Sequence, residues 1–254
     1  MSVAHPVTSW SIPTAPVTLA GDEVHVWRAS LKQPASHVQR LFLTLTPDER
    51  ERAGRFHFQK DRDHFTVARG LLRAILGRYL HEAPERLRFD YSSYGKPRLS
   101  EQFQRSALRF NVSHSHEFVV YALTRGRKIG VDIEYHRADV VGEEIAERFF
   151  STNEVRDLCA LPGHLREEAF FNCWTRKEAY IKARGEGLSH PLDQFDVSLA
   201  PGKPAALLAT RGDARELSRW TICAFTTEGN YSAALAVEGH DLRFKYWRWL
   251  DWSN

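Results

Sequence analysis

Paired cysteines are missing from this sequence. The three present are Cys159, Cys173 and Cys223. Their number is odd and none belongs to a CxxC pair, which argues against a disulfide framework or a structural zinc site. Cys159 and Cys173 fall in helical patterns, where a buried free thiol is the usual state. No cationic start leads into an apolar run, and no run of apolar residues is long enough to span a bilayer. The expectation is a reducing cytoplasm and no membrane. A polybasic block is also missing, as is a basic stripe interleaved with exposed aromatics, so nucleic acid is not an expected partner. The net charge is only +3, which suits an acidic protein or a phosphate-bearing ligand.

Core-forming residues are plentiful. The 254 residues include seven Trp and 15 Phe, enough for one large domain or two smaller ones. The first twenty residues read as an extended lead-in, followed by a strand at EVHVWRA. Residues 34–56 read as helix, broken near Pro47, where Thr46 offers an N-cap. Asp63 to Leu80 is a stronger helix, with Phe65, Ala68, Leu72, Ile75, Leu76 and Tyr79 at helical spacing. RLRFDY alternates and SSYGKPRL is a turn. LRFNVS and FVVYALT read as strands joined by a loop, SHSHE, and KIGVDIEY is the next strand. From there the order of elements repeats: helices at Glu143–Leu161 and Leu165–Arg184, then strands near FDVSL, AALLAT, WTICAFTT and YSAALAVE. The expectation is an α+β fold of two halves, residues 1–125 and 126–254, and ligand sites favour such interfaces.

The segment GVDIEYHR raises the first chemical question. In a strand, Val131 and Ile133 share one face while Asp132 and Glu134 share the other. Two carboxylates this close repel and raise each other's pKa. One reading is a solvent-facing strand face. The other is a hard cation such as magnesium, with oxygen ligands completed by water and phosphate. A third carboxylate comes from the second long helix, where Phe171, Trp174, Glu178 and Ile181 share a face. Glu178 either pairs with Lys182 at i+4 or serves a metal or a proton transfer, leaving Lys182 free for phosphate. Ser113, His114, Ser115 and His116 offer hydroxyl and imidazole donors at a strand end: either a plain polar loop, a zinc site for which no further ligands are evident by motif, or donors suited to phosphate or pyrophosphate. Lys96, in YGKPRL, is either a point charge for phosphate or part of a surface turn. Gly185 and Gly187, after the helix, read as its C-cap.

Taken in order, YGKP (94–97), FNVSHS (110–115), IGVDIE (129–134), RFFSTNE (148–154) and WTRKEAYIKARGEGL (174–188) resemble the 4'-phosphopantetheinyl transferases, specifically the larger single-chain Sfp-type. The resemblance runs from about residue 46 to about residue 200; the first twenty residues and the WRWL segment carry none of it. It implies a pseudo-twofold pair of α+β halves with coenzyme A in the cleft between them. It implies transfer of the phosphopantetheine arm to a serine of an apo acyl or peptidyl carrier protein, with adenosine 3',5'-bisphosphate as the other product. Carried over by position, Asp132, Glu134 and Glu178 surround Mg2+, and Glu178 is also the candidate base. Lys182 meets phosphate and stabilises developing charge. Ser113 and His114 match positions that bind the coenzyme A phosphates, Lys96 and Pro97 match the loop near the nucleotide, and Arg52 matches a basic position for the 3'-phosphate, with Arg50 or Arg55 as substitutes. The stretch from Tyr135 to Phe150 is expected near the cleft mouth as a docking surface, with Val140, Val141 and Ile145 as its apolar residues unless these pack inside the second half. Two halves in one chain favour a monomer. A non-catalytic coenzyme A- or carrier-binding protein and a magnesium-dependent phosphodiesterase are the competing readings of the same residues.

Overall fold

The computed structural model describes residues 8–137, 143–185, 187 and 190–250. Two sheets pack face to face, each with one long helix on its outer side. The first half supplies β1 (Glu23–Ser30), α1 (Ala35–Thr44), α2 (Pro47–Gly54), α3 (Gln59–Leu80), the short pair β2 (Phe89–Tyr91) and β3 (Pro97–Leu99), and the hairpin β4 (Leu108–Ser115) and β5 (Phe118–Arg125). The second supplies β6 (Ile129–Tyr135), α4 (Glu143–Phe149), α5 (Thr152–Ala160), α6 (Gly163–Arg184), the pair β7 (Phe195–Val197) and β8 (Leu207–Thr210), then β9 (Trp220–Ala224), β10 (Tyr231–Glu238) and β11 (Arg243–Arg248). The strand order is β11-β1-β5-β4 in one sheet and β6-β10-β9 in the other. The last strand therefore crosses back and pairs parallel with β1.

Alternation along the strands sorts the side chains into three cores. Trp27, Ala29, Val119, Tyr121 and Leu123 pack under α3 with Leu72, Ile75 and Leu76. Val24, Val26, Val120 and Ala122 meet Val131, Ile133, Leu235 and Val237 between the two sheets. Ala234, Ala236 and Ile222 pack under α6 with Phe170, Ala179 and Ala183. Val131 and Ile133 thus point into the seam between the halves, and Asp132 and Glu134 point to the α6 side, the sorting their period of two requires.

The halves repeat more than their element order. Thr46 and Glu49 form a capping box at the start of α2, and Ser151 and Glu154 form one at the start of α5. Each capping glutamate also meets a buried cation from the long helix that follows: Arg73 Nε donates to Glu49 Oε2 at 2.7 Å, and Lys177 Nζ lies 2.7 Å from Glu154 Oε2. Both helices are 22 residues long and each cation is the fifteenth residue of its helix. Each cation then donates to two carbonyls of the loop beyond, Pro84 and Leu87 for Arg73, Leu192 and Phe195 for Lys177. These bonds use the donors of a cation buried away from the surface.

The structure corrects several sequence expectations. The helix expected over Glu143–Leu161 is two, because Ser151 caps a fresh start with Phe150 buried beneath it. The SHSHE loop is mostly strand: β4 runs through Ser115 and only His116 and Glu117 form the turn, His116 with φ +51°. Cys159 is exposed, since Leu158 takes the inward side of α5, while Cys173 is buried as expected. The WRWL segment begins in β11 and runs past its end, with Trp247 in the strand and Trp249 just beyond it both packing on Trp27. Ile145 packs against the α6 core, whereas Val140 and Val141 lie outside the described residues. No helix among the described residues is long and apolar enough to cross a membrane.

Candidate active site

One glycine sets how closely α6 approaches β6. A Cβ built on Gly130 would stand 2.1 Å from the Ala179 carbonyl oxygen and 2.3 Å from the Ala183 amide nitrogen. Only a residue without a side chain lets the helix backbone lie on the strand there. That contact carries the α6 side chains to the strand carboxylates two and four residues further along β6. On α6, Phe171 and Ile181 are buried in the core, and Trp174, Glu178 and Lys182 form a half-buried stripe at i, i+4 and i+8. Glu178 therefore lies beside the fully inward face, not on it. Gly185 ends the helix with φ +80°, the left-handed C-cap anticipated in the sequence.

A cavity of about 380 Å³ collects Val112, Ser113, His114, Asp132, Glu134, Trp174, Glu178 and Lys182. Six of the nine residues expected at the site line it. Asp132 is only 2% exposed, which excludes the reading of a solvent-facing strand. Its Oδ1 accepts from Ser113 Oγ at 2.8 Å and from Lys182 Nζ at 2.5 Å. The Lys182 ammonium also donates to Ser113 Oγ at 3.2 Å. So the lysine pairs with Asp132 on the strand beneath α6, and not with Glu178 one turn back.

Charge crowding is visible in each group. Burial, then Asp132, raises the Glu134 carboxyl above its usual range, against Ser115 and Lys182. Burial and Asp132 push Glu178 up to about 7, with Glu134 adding and Lys182 opposing. Burial works against the Lys182 charge, but Asp132, then Glu178 and Glu134, hold its pKa above the usual value. Partial burial and the nearby Lys182 ammonium lower the His114 imidazole. Three carboxylates thus face one ammonium, an arrangement short of positive charge.

The donor set suits a hard cation. Asp132 Oδ2 is buried and has no hydrogen-bond partner among the described residues, an orphaned acceptor of the kind a metal or its water satisfies. Among the described residues no three His, Cys, Asp or Glu side chains stand at metal-holding distances as placed; Lys182 supplies the counter-charge in this arrangement.

The remaining expected residues stand outside the cavity. Lys96 donates to the backbone carbonyls of Ile129 at 3.0 Å and Lys182 at 2.6 Å, tying its loop to β6 and to the end of α6. Burial, with Lys128 and Lys182 nearby, lowers its pKa to about 8. Pro97 and Lys96 line a separate hollow of about 120 Å³ with Arg109 and Gly185. Arg52 lies on α2 with its guanidinium 5.3 Å from the Phe65 ring centroid. The sequence shows Trp174 only as part of an aromatic face, yet it walls the cavity. The signal for Gly130 is a glycine inside an alternating strand, the mark of a close backbone approach.

Known proteins resemble the chain throughout. The family model described as the 4'-phosphopantetheinyl transferase superfamily matches residues 128–236, and the one described as 4'-phosphopantetheinyl transferase, N-terminal, matches residues 26–125. The 4'-phosphopantetheinyl transferase HetI of Nostoc is 41% identical over 94% of this chain and 98% of its own length. The 4'-phosphopantetheinyl transferase Sfp of Bacillus subtilis is 34% identical over 63% of this chain and 69% of its own. Among solved structures, the holo-[acyl-carrier-protein] synthase of Thermotoga maritima overlaps 46% of this chain and 64% of its own, at 24% identity and a TM-score of 0.36, too partial to bear on the assignment. With a relative this similar over nearly its whole length, the chain belongs to the 4'-phosphopantetheinyl transferase superfamily, enzymes that transfer the phosphopantetheine arm of coenzyme A to a serine of a carrier protein.

Proposed function

We propose that the cavity between β4, β6 and α6 is where this transfer takes place, with an apo acyl or peptidyl carrier protein as acceptor, magnesium as the metal and adenosine 3',5'-bisphosphate as the leaving product. The observation that carries the reading is the meeting of Asp132, Glu134 and Glu178 with Lys182 in one cavity, with Asp132 Oδ2 unpartnered among the described residues. Asp132, Glu134 and Glu178 would hold the magnesium ion, which when bound supplies electrophilic polarisation of the pyrophosphate.

The chain's own groups do the rest. Ser113 and His114 line the cavity beside Lys182 and offer donors to phosphate oxygens. Lys182, once phosphate competes with Asp132 for its ammonium, stabilises charge growing on the leaving phosphate. Glu178 takes the proton of the carrier serine, directly or through a water. Lys96 and Pro97 hold the loop beside the nucleotide, and Arg52 is the candidate for the 3'-phosphate, as the resemblance to the family suggests.

Residues 1–125 and 126–254 form the two sides of the cleft in this reading. One chain supplies both, which supports a monomer. The three free cysteines fit the reducing cytoplasm. Neither a membrane nor a nucleic acid is a proposed partner. The test is incubation of apo carrier proteins with the chain and coenzyme A, with magnesium or with chelator. Magnesium-dependent gain of one phosphopantetheine arm is expected. Bound coenzyme A without transfer to any acyl, peptidyl or aryl carrier would favour a binding-only protein.

A further inference from the structure

The strands β4 and β6 belong to different sheets, and no backbone ladder joins them. The free edge of β6 is instead met by every second side chain of β4. Asn111 Oδ1 accepts the Val131 amide at 2.8 Å, Ser113 Oγ donates to Asp132 at 2.8 Å, and Ser115 Oγ donates to Glu134 Oε2 at 2.8 Å. Ser115 does two things at once, because its oxygen also accepts the Tyr135 amide at 3.1 Å. The Tyr135 amide holds the oxygen in place through one of its lone pairs, and the hydroxyl hydrogen is donated to Glu134.

Its seat is fixed from both sides. Ser115 pairs with Phe118 to close the two-residue turn. The Glu117 amide donates to Tyr231 Oη at 3.3 Å, and the His116 ring stacks on Tyr135 at 4.6 Å with an interplanar angle of 21°. The end of the hairpin is thereby pinned to β6 and β10, the strands that carry and flank Glu134.

We infer that Ser115 is a positioning residue: from the other half of the molecule it aims the Glu134 carboxylate into the cavity that holds the metal and the pyrophosphate. The inference rests on the reading of Glu134 as a metal ligand. Hydroxyl partners of ligating carboxylates fix ligand orientation, and their loss costs about 10-fold or more in metal affinity. A serine that only supported the fold would change stability and leave metal affinity alone.

The experiment is calorimetric titration of magnesium into the full chain saturated with coenzyme A, for wild type, Ser115→Ala, Ser115→Thr and Glu134→Ala, with coenzyme A affinity measured without metal and kcat at saturating magnesium. The expected result is about 10-fold weaker magnesium binding in Ser115→Ala, unchanged metal-free coenzyme A affinity, a kcat that recovers at high magnesium, and rescue by Ser115→Thr, which keeps the hydroxyl. Wild-type magnesium affinity in Ser115→Ala beside a weakened Glu134→Ala overturns the inference alone. Wild-type affinity in Glu134→Ala as well overturns the ligand reading and the inference with it.

Discussion

Glu178 and Asp132 sit in a conflict of charge that their neighbours only partly relieve. Three carboxylates share a half-buried cavity with one ammonium, so their mutual repulsion works against the fold. Glu178→Gln is predicted to lower kcat at least about 100-fold, in line with loss of a general base. The same change removes a charge that burial and Asp132 both disfavour. It should therefore leave the metal-free protein as stable as wild type or more so, by up to about 1 kcal/mol. Chemical denaturation in chelator and a transfer assay at saturating magnesium read the two effects separately. A loss of stability equal to the loss of activity would make Glu178 structural. The carboxylates were legible in the sequence because periods of two and 3.6 are local rules. The partner of Lys182 was not: its pairing with Asp132 depends on the crossing of α6 over β6, which no local spacing encodes.

Helices and strands show where pattern reading stops. The α6 stripe and its glycine cap followed from the sequence, and so did the break at Pro47. The second break, at Ser151, was hidden by a continuous apolar pattern, although S-T-N-E has the form of a capping box. The strand β11 alternates in RFKYWR, but its parallel partner β1 lies at the far end of the chain. Gly130→Ala tests the closest contact between elements. The added methyl meets helix backbone, which cannot rotate away, and overpacking of this kind costs about 1–3 kcal/mol or more. Loss of stability and of transfer together is expected. Gly54→Ala, with nothing within 4 Å of the new methyl, should be neutral or stabilise by under about 1 kcal/mol. Lys177→Met tests the buried pair. It strands Glu154 without its cation, and about 3–5 kcal/mol should be lost in denaturant titration. A small effect would mean that Lys177, next to Glu178 in sequence, owes its place to something other than the repeated scaffold.

At the scale of the whole molecule, the two halves share a scaffold and divide the chemistry. Counting from the helix starts, the residue after the buried cation is Glu178 in α6 and Ala74 in α3. The acidic cluster therefore belongs to one half, while the other contributes Ser113, His114 and Ser115 from β4. The halves are also tied through β1 and β11, where Glu23 meets Lys245 and Arg243. Beside them His25, 1% exposed, lies with Nδ1 2.7 Å from Tyr79 Oη and Nε2 3.3 Å from Glu23. Burial lowers its pKa to about 4, against Glu23 and with Lys245, so the native state stays neutral there while the unfolded chain takes a proton below 6.5. The unfolded state then binds more protons, and stability should fall as pH drops from 6.5 towards 4, by up to about 3 kcal/mol. His25→Gln should flatten that slope in denaturant titrations across the range; an unchanged slope would place the acid sensitivity elsewhere.

The most direct test of the central claim follows the intact mass of apo carrier proteins over time, with coenzyme A and either the wild-type chain or Glu178→Gln, in magnesium and in chelator. The account predicts one added phosphopantetheine arm with wild type and magnesium, none in chelator, and conversion slowed at least about 100-fold by the substitution. Conversion by Glu178→Gln at the wild-type rate, or undiminished conversion in chelator, would contradict it.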